Sequence, residues 1–498
     1  MGMIVKLSDV EQLGRVNMKI ALCHGVFDVL HEGHLNYLEE AASQADVLVV
    51  SITTDRYVNK GPGRPYFDHN TRARMIAALD VVDYVIINDE PRATNVITAL
   101  KPKLYVKGPD YKDRGSDLTK GIYEEEEATK KAGGEVIFTN ARQFSSSTLI
   151  NTFFNNKTED QNKAIEAVKD AGGLPRLVEI FRLVEKLEVT VIGEPIVDTY
   201  TFCEPQGLSS KSANISARFI SEENYAGGSL AIANHLSDFV RNVRLFAPYG
   251  PEMYFQHIKK TMVDKRVNYF ENCLAGYTTP RKTRFIDKDK SQRMFELTNI
   301  TPDVWAKNNV NTLISQVKSA GADSSLALLC DFGHGLFEGK FLSQMYDLGC
   351  FTALNCQTNS SNFGFNPYTK HDASGIDYLS IDLKEAQVAF HDKTSPAPSL
   401  FNKISLHNCS MTLGGDGALF KNNGETHKVP AFADKVVDTI GAGDAYYAIT
   451  SLLVKVGAPP VMVPFIGNIF AGLKTKIIGN KHSVTKAQLL KAVDAILK

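Results

Sequence analysis

Two short stretches carry residue types whose spacing could do chemistry. In CHGVFDVLHEGHLNYL, residues 23–38, His31 and His34 stand three apart with Gly33 between them, just after an apolar β-branched run. Two imidazoles at a strand-to-helix junction could donate hydrogen bonds to phosphate oxygens as negative charge grows on them. The spacing equally suits one histidine capping the helix while the other packs. In VVDTIGAGDAYYA, residues 436–448, Gly441, Ala442 and Gly443 leave backbone N–H groups uncovered where a helix is expected to start. Such a turn suits a transferring phosphoryl group, and Asp444 beside it could accept a proton from an attacking hydroxyl. A glycine turn with an aspartate cap is the plainer alternative.

Both stretches need strands to hold them. KIALCHGVF, DVLVVSI, YVIIND, KLYVKG and GEVIFTN read as strands separated by helix-period segments such as HLNYLEEAASQ, the pattern of βαβ units and a parallel sheet. The rhythm breaks over 156–184, which reads as a polar linker plus a helix. It resumes with EVTVIGEPIVDTY and continues through VRLFAPYG, SLALLCDFG, FTALNCQ, YLSID and CSMTLGG. The expectation is an α/β protein with one domain over 1–155 and a second over 185–498.

Composition narrows the function. Among 498 residues, 55 Lys and Arg nearly balance 56 Asp and Glu, which gives no basic footprint for nucleic acid or an anionic membrane. The seven cysteines are scattered without a C-x-x-C pair, which suits reduced thiols. No apolar run approaches the ~20 residues that span a bilayer, and the start lacks a signal-peptide pattern. A soluble cytoplasmic protein is expected.

The histidine stretch is accompanied by GVFD before it, NKGPGRP at 59–65, RARM at 72–75, VKGPDY at 106–111 and SSST at 145–148. In this order they resemble the nucleotidyltransferase superfamily of cytidylyltransferases, a Rossmann-like fold, and most closely the adenylyltransferase half of the bifunctional ADP-heptose synthases. The resemblance implies that His31 and His34 stabilise the α-phosphate of a nucleoside triphosphate, ATP or CTP, during attack by a sugar phosphate. It places Gly25, Phe27, Lys60, Arg74, Lys107, Asp110, Tyr111, Ser147 and Thr148 around the nucleotide and Asp28 toward the sugar phosphate.

The second stretch resembles the D-T-x-G-A-G-D signature of ribokinase-like sugar kinases. That likeness implies an anion hole at Gly441, Ala442 and Gly443, with Asp444 as base and ATP as phosphoryl donor. Asp198, Gly227 and Gly228 would meet the sugar, and Thr412, Gly414 and Gly417 the nucleotide. Glu385 would organise Mg2+ indirectly. CDFGHG, with Asp331, Gly333 and Gly335, resembles the family's central strand-end motif. A small β lid, formed by TFCEPQGLSS to ENYAGG with TRFID and RMFEL, is expected to cover the sugar and to pair two copies as a homodimer.

Three positions depart from the family pattern. Ala231 replaces an asparagine that follows the paired glycines, Asp382 replaces the asparagine of N-x-x-E, and Asn355 replaces an aspartate. The resemblance therefore implies a bifunctional enzyme that phosphorylates a heptose 7-phosphate at O1 and joins a sugar 1-phosphate to a nucleotide. Its product would serve surface polysaccharide such as lipopolysaccharide, although the kinase half stands second here and first in the usual fusion. A cytidylyltransferase joined to a kinase for another sugar or polyol is the alternative. A decayed sugar- or nucleotide-responsive binding protein is a third reading, opposed by intact His31, His34, Gly443 and Asp444.

Overall fold

The computed structural model describes residues 2–9, 18–58, 64–108, 121–139, 157–209, 212–290, 292–300, 310–359, 362–433 and 436–498. The chain divides into two compact units, Met1–Lys157 with Leu490–Lys498, and Thr158–Leu489. Both are α/β, and no helix among the described residues is long and apolar enough to cross a membrane.

The first unit is built on a parallel sheet of β1 (Met3–Val5), β2 (Ile20–Gly25), β3 (Val47–Thr53), β4 (Tyr84–Asn88), β5 (Leu104–Lys107) and β6 (Glu135–Phe138). Its strand order is β1-β4-β3-β2-β5-β6. Alternate residues of β2 feed opposite cores: Ala21 and Cys23 pack on one face, Ile20 and Leu22 on the other. That two-sided burial explains why the strand reads as one apolar run instead of an alternating one. The order reverses between β2 and β5, so a crevice opens at their carboxyl ends, where α/β sheets take ligands. Helices α1 (Glu32–Ala42), α2 (His69–Ala77) and α3 (Gly121–Lys131) follow β2, β3 and β5.

The second unit carries β7 (Glu188–Gly193), β8 (Pro195–Leu208), β9 (Ile215–Gly228), β10 (Asn242–Phe246), β11 (Val267–Tyr269), β12 (Arg281–Asp287), β13 (Gln292–Asn299), β14 (Leu326–Asp331), β15 (Phe351–Cys356), β16 (Tyr378–Asp382), β17 (Asn408–Thr412), β18 (Ala418–Asn422) and β19 (Glu425–Val429). A large sheet runs β11-β10-β7-β14-β15-β16-β17-β18-β19, and a small one runs β13-β12-β8-β9. The small sheet comes from the segments expected to form the lid. In the large sheet the order reverses between β7 and β14, which sets the crevice at the ends of β7, β14, β15, β16 and β17. Helices α4 (Ser229–Leu236), α5 (Leu383–Ala389), α6 (Ala442–Lys455) and α7 (Met462–Lys474) accompany it.

The described part of the expected linker plus helix, 157–184, is helical along most of its length. It forms helices Glu159–Asp170 and Gly173–Val184, the second burying Leu177, Ile180, Phe181 and Val184. A polar average hid an apolar stripe at helical spacing, which lies on one face and gives the helix a core to pack against.

His235 in α4 is buried against Phe470, ring centroids 5.7 Å apart. Neither ring nitrogen has a hydrogen-bond partner among the described residues. Burial, with help from Lys474, pushes its pKa down to about 3. The folded protein therefore holds a neutral imidazole that the unfolded chain protonates below about 6.5. Its contribution to stability is complete above that value and falls by about 1.36 kcal/mol per unit as pH drops toward the folded pKa. His235→Phe is expected to flatten that part of the stability curve, read by urea unfolding at pH 7 and pH 5. An unchanged slope would show that His235 does not drive acid sensitivity.

Candidate functional site

In the first unit, β2 ends at Gly25 and the chain turns through Phe27 before entering α1. Phe27 holds a positive φ of 49°, and a Cβ on Gly25 would lie 3.0 Å from its ring. Both residues thus shape the turn. His31 is the N-cap of α1 in extended conformation, without a side-chain capping bond. Its ring stacks on that of His34, centroids 3.9 Å apart and planes 20° off parallel. Phe27 closes the other side of His34 edge-on, at 5.3 Å. The helix-capping role for the His31 side chain is therefore not what the fold adopts. Instead two half-buried imidazoles lie together at a helix N-terminus, over the crevice between β2 and β5, where an anion is favoured.

The neighbouring polar residues divide into those that can face a ligand and those that hold the turn. The Asp28 carboxylate is buried and accepts from the backbone N–H groups of Tyr66 and Phe67 at 2.7 and 3.1 Å, with Arg64 at 3.8 Å. It pins segment 64–67 against the histidine turn. Lys107 ends β5, buried, with its ammonium 2.7 Å from Glu125 and 4.9 Å above the Tyr105 ring. Burial pushes the Glu125 carboxyl up, yet Lys107 and His24 hold it below its ordinary value. Arg74 is exposed on α2. Lys60, Asp110, Tyr111, Ser147 and Thr148 lie outside the described residues.

Arg72, two residues before Arg74, is the member of RARM that the interior takes. Fully buried, it donates to the carbonyls of Phe67, Val26 and Thr53 and to Asp55 Oδ1. It ties the histidine turn to β3 and to segment 64–67. Arg72→Ala is expected to cost about 3 kcal/mol or more, because three main-chain acceptors lose their donor at about 1–3 kcal/mol each. Urea unfolding of the full chain checks this, and a loss below 1 kcal/mol would remove Arg72 from the scaffold.

In the second unit the strand ends enclose a cavity of about 400 Å³ lined by Asp198, Lys282, Asn355, Glu385, Gly443 and Asp444 among others. Gly441 is the N-cap of α6, with φ of 76° in the left-handed region that glycine tolerates. A Cβ on Gly443 would meet nothing within 4 Å; it would project into open space at the cavity wall. Asp444 follows in the first turn, and burial pushes its pKa up to about 6, opposed by a hydrogen bond from Gln357. That bond, from Gln357 Nε2 to Asp444 Oδ1, measures 2.7 Å, and Asn355 Oδ1 accepts from the same nitrogen at 3.0 Å. The aspartate-to-asparagine departure at 355 thus became a bracket for the residue that orients Asp444. Only the strand register reveals Gln357; nothing in its sequence neighbourhood does.

The lid supplies positive charge. Asp198, on β8, is ion-paired with Arg284 of β12, which also meets Glu296 at 3.0 Å. Lys282 lines the cavity, its pKa lowered by burial against the pull of Asp198 and Glu296. Gly227 is required beside them, since a Cβ there would lie 2.3 Å from Asp198 Oδ2. Gly228, with φ of 57°, passes close to the Glu194 carbonyl in the same way. Ala231 is buried in α4, so that position offers no polar contact.

At the opposite wall, Asp382 and Glu385 form a reciprocal capping box on α5. Burial and then the Asp382 charge push Glu385 well above its ordinary value, with Asp444 adding to the effect. This surplus of carboxylate suits a divalent cation. Thr412 ends β17, and the turn after it uses Gly414 and Gly417 at φ of 60° and 93°. Asp331, Cys356 and His371 form the three-ligand cluster found among the described residues. There the Asp331 Oδ2 atom already has the Lys370 ammonium and His371 Nε2 at 2.9 Å each, so the cluster is a buried ion network with its charge met.

The cytidylyltransferase-like family model matches residues 22–153, and the pfkB family carbohydrate kinase model matches 186–455. The bifunctional protein HldE of Campylobacter fetus is 39% identical over 124 residues, covering 24% of this chain and 27% of that one. Its namesake from Geobacter metallireducens is 46% identical over 99 residues, 20% of each. The chain thus spans about a quarter or less of the length of the curated relatives it matches. A candidate ribokinase from Agrobacterium tumefaciens superposes with a TM-score of 0.51 at 14% identity, over 62% of this chain and 98% of that one. That likeness bears on the fold.

Proposed function

Since the chain belongs to the pfkB family of carbohydrate kinases, whose model covers more than half its length, we propose that it is bifunctional. Its second unit phosphorylates a sugar phosphate and its first joins a sugar 1-phosphate to a nucleotide. The observation that carries the kinase reading is Asp444, buried at the start of α6 in the same cavity as Asp198, Gly443 and Glu385. A sugar hydroxyl held by Asp198 near Asp444 loses its proton to that carboxylate as it attacks the terminal phosphoryl group of ATP. The N–H groups at Gly441–Gly443 receive the charge that builds on the transferring group. Lys282, on the cavity wall, suits a substrate that is itself an anion, while Arg284 is held by Asp198 and Glu296. Thr412, Gly414 and Gly417 take the nucleotide side, and Mg2+, held through Glu385 and Asp382, would neutralise its phosphates.

In the first unit, His31 and His34 stabilise the α-phosphate of ATP or CTP while a sugar 1-phosphate displaces pyrophosphate. The step needs positioning and charge neutralisation and no covalent intermediate. A cytoplasmic setting suits both substrates. The apolar side chains Leu208, Ile215, Phe219, Phe295 and Leu297, exposed on the lid, support a second copy of the chain covering them as a homodimer.

The test is direct. Given heptose 7-phosphate, ATP and Mg2+, the protein is expected to accumulate the 1,7-bisphosphate and stop, because the two sites proposed here account for phosphorylation and nucleotidyl transfer and for no removal of phosphate. An added bisphosphate phosphatase then yields a nucleotide-activated heptose. A nucleotide sugar formed without it would refute the staged route. No phosphorylation of any heptose phosphate would move the substrate to another sugar or polyol, the reading Ala231 favours.

The pH dependence follows from Asp444. A base must be deprotonated, so kinase kcat/KM is expected to fall as pH drops through about 6. Gln357→Leu removes the donor that favours the carboxylate, and its acid limb should move to higher pH. A pH-rate profile superimposable on that of the parent would exclude this role for Gln357.

A further inference from the structure

β14 ends on Asp331, the aspartate of CDFGHG, and its carboxylate is buried. Oδ1 accepts from the Gly333 N–H at 2.9 Å and from Asn366 Nδ2 at 3.1 Å. Oδ2 takes the Lys370 ammonium, His371 Nε2 and the Cys356 thiol. Burial pushes this carboxyl up, yet His371 and Lys370 outweigh it and hold the group below its ordinary value. A buried carboxylate is costly and is retained where it is paired. Three of its partners, Asn366, Lys370 and His371, belong to one stretch of chain between β15 and β16.

That stretch begins with Gln357, the residue that holds Asp444. The Gln357 main chain is gripped on both sides: its N–H donates to the Asp331 carbonyl at 2.8 Å, and its carbonyl accepts from Asn366 Nδ2 at 3.1 Å. Asn366 is itself locked, since the same nitrogen meets Asp331 Oδ1 and Lys370 donates to its Oδ1 at 2.6 Å. From this fixed main chain a few staggered torsions carry the Gln357 carboxamide to Asn355 and Asp444. Gly333 completes the clamp. At its φ of 70° a Cβ would run into Asn362 Nδ2 and lie 2.9 Å from the Asn366 carboxamide, so a side chain there would push the segment off the turn. Asn362 adds a separate tie, from its Nδ2 to the Phe332 carbonyl at 3.1 Å.

We propose that Asn366, locked in place by Asp331, is a positioning residue for phosphoryl transfer: it fixes the Gln357 main chain so that the Gln357 carboxamide meets Asp444. The inference rests on the kinase reading of Asp444. It goes beyond that reading by assigning a role to Asn366 and Asp331, neither of which lines the cavity.

Asp331→Asn would strand the Lys370 and His371 charges, so the milder Asn366→Ala carries the test. A hydrogen bond donated to a carboxylate favours its ionised form, so with Gln357 released the acid limb of kinase kcat/KM should move to higher pH by about half a unit or more. Asn366→Leu, which keeps the volume and removes the donor, is the second variant with the same expected shift. Either change combined with Gln357→Leu should move the limb no further than Gln357→Leu alone, because both remove one bond. Asn362→Ala loosens the same segment without touching Gln357 and should leave the limb in place. The charged and titratable groups that face Asp444, namely Asp198 and Lys282 of the lid, Lys474 of α7, Glu385 of α5 and Cys330 of β14, are unaltered in all of them. The protonated-carboxyl infrared band that Asp444→Asn lacks reads the same titration with no substrate present. A parent that phosphorylates no sugar phosphate thus fails the kinase reading and leaves Asn366 testable. A folded Asn366 variant whose band titrates as in the parent, a shift that adds in full to that of Gln357→Leu, or an equal shift in Asn362→Ala would overturn the proposal.

Discussion

Asp444→Asn is expected to lower kcat for sugar phosphorylation by about 10²–10⁴-fold, the range a positioned general base supplies. The substitution keeps the shape of the side chain and removes its capacity to take a proton. Gln357 can still meet the carboxamide oxygen, so the first turn of α6 and the cavity should keep their form. KM for the sugar should stay within a few-fold, and nucleotidyl transfer by the first unit should be untouched, giving an internal control for folding. Steady-state kinetics of both reactions on one preparation decide the matter. A folded variant with undiminished phosphorylation would show that the proton leaves by another route.

His31→Ala and His34→Ala are each expected to reduce nucleotidyl transfer by about 10²–10³-fold, as removal of a comparable donor does. The two rings stack at 3.9 Å, so each orients the other, and the double variant should fall little below the worse single one. Sugar phosphorylation should persist in all three. Pyrophosphate release with a sugar 1-phosphate reads the first activity and ADP release with heptose 7-phosphate reads the second. Loss of both activities in a folded His31→Ala protein would sink the assignment of two separate sites.

Sequence by itself determined the α/β class, most strands of both large sheets and the lid segments, and it singled out the two stretches proposed to carry the chemistry. It could do so because those features are local: β-branched runs between helix-period segments, and glycine turns whose backbone needs are written in residue type. Tertiary structure decided what depends on residues far apart in the chain. The 156–184 segment averages polar but buries one face. RARM offers two arginines of equal chemistry, and only the packing of α2 takes Arg72 inside and leaves Arg74 exposed. Gln357 reaches Asp444 because β15 lies beside β14 near the start of α6, a distance of 87 residues along the chain. Lys474 meets Ile440 across 34 residues and is visible beforehand only as a lone charge in an apolar helix. A hydrogen bond or ion pair is set by where strand ends and helix termini converge, and that convergence is fixed by sheet order, which no local spacing encodes.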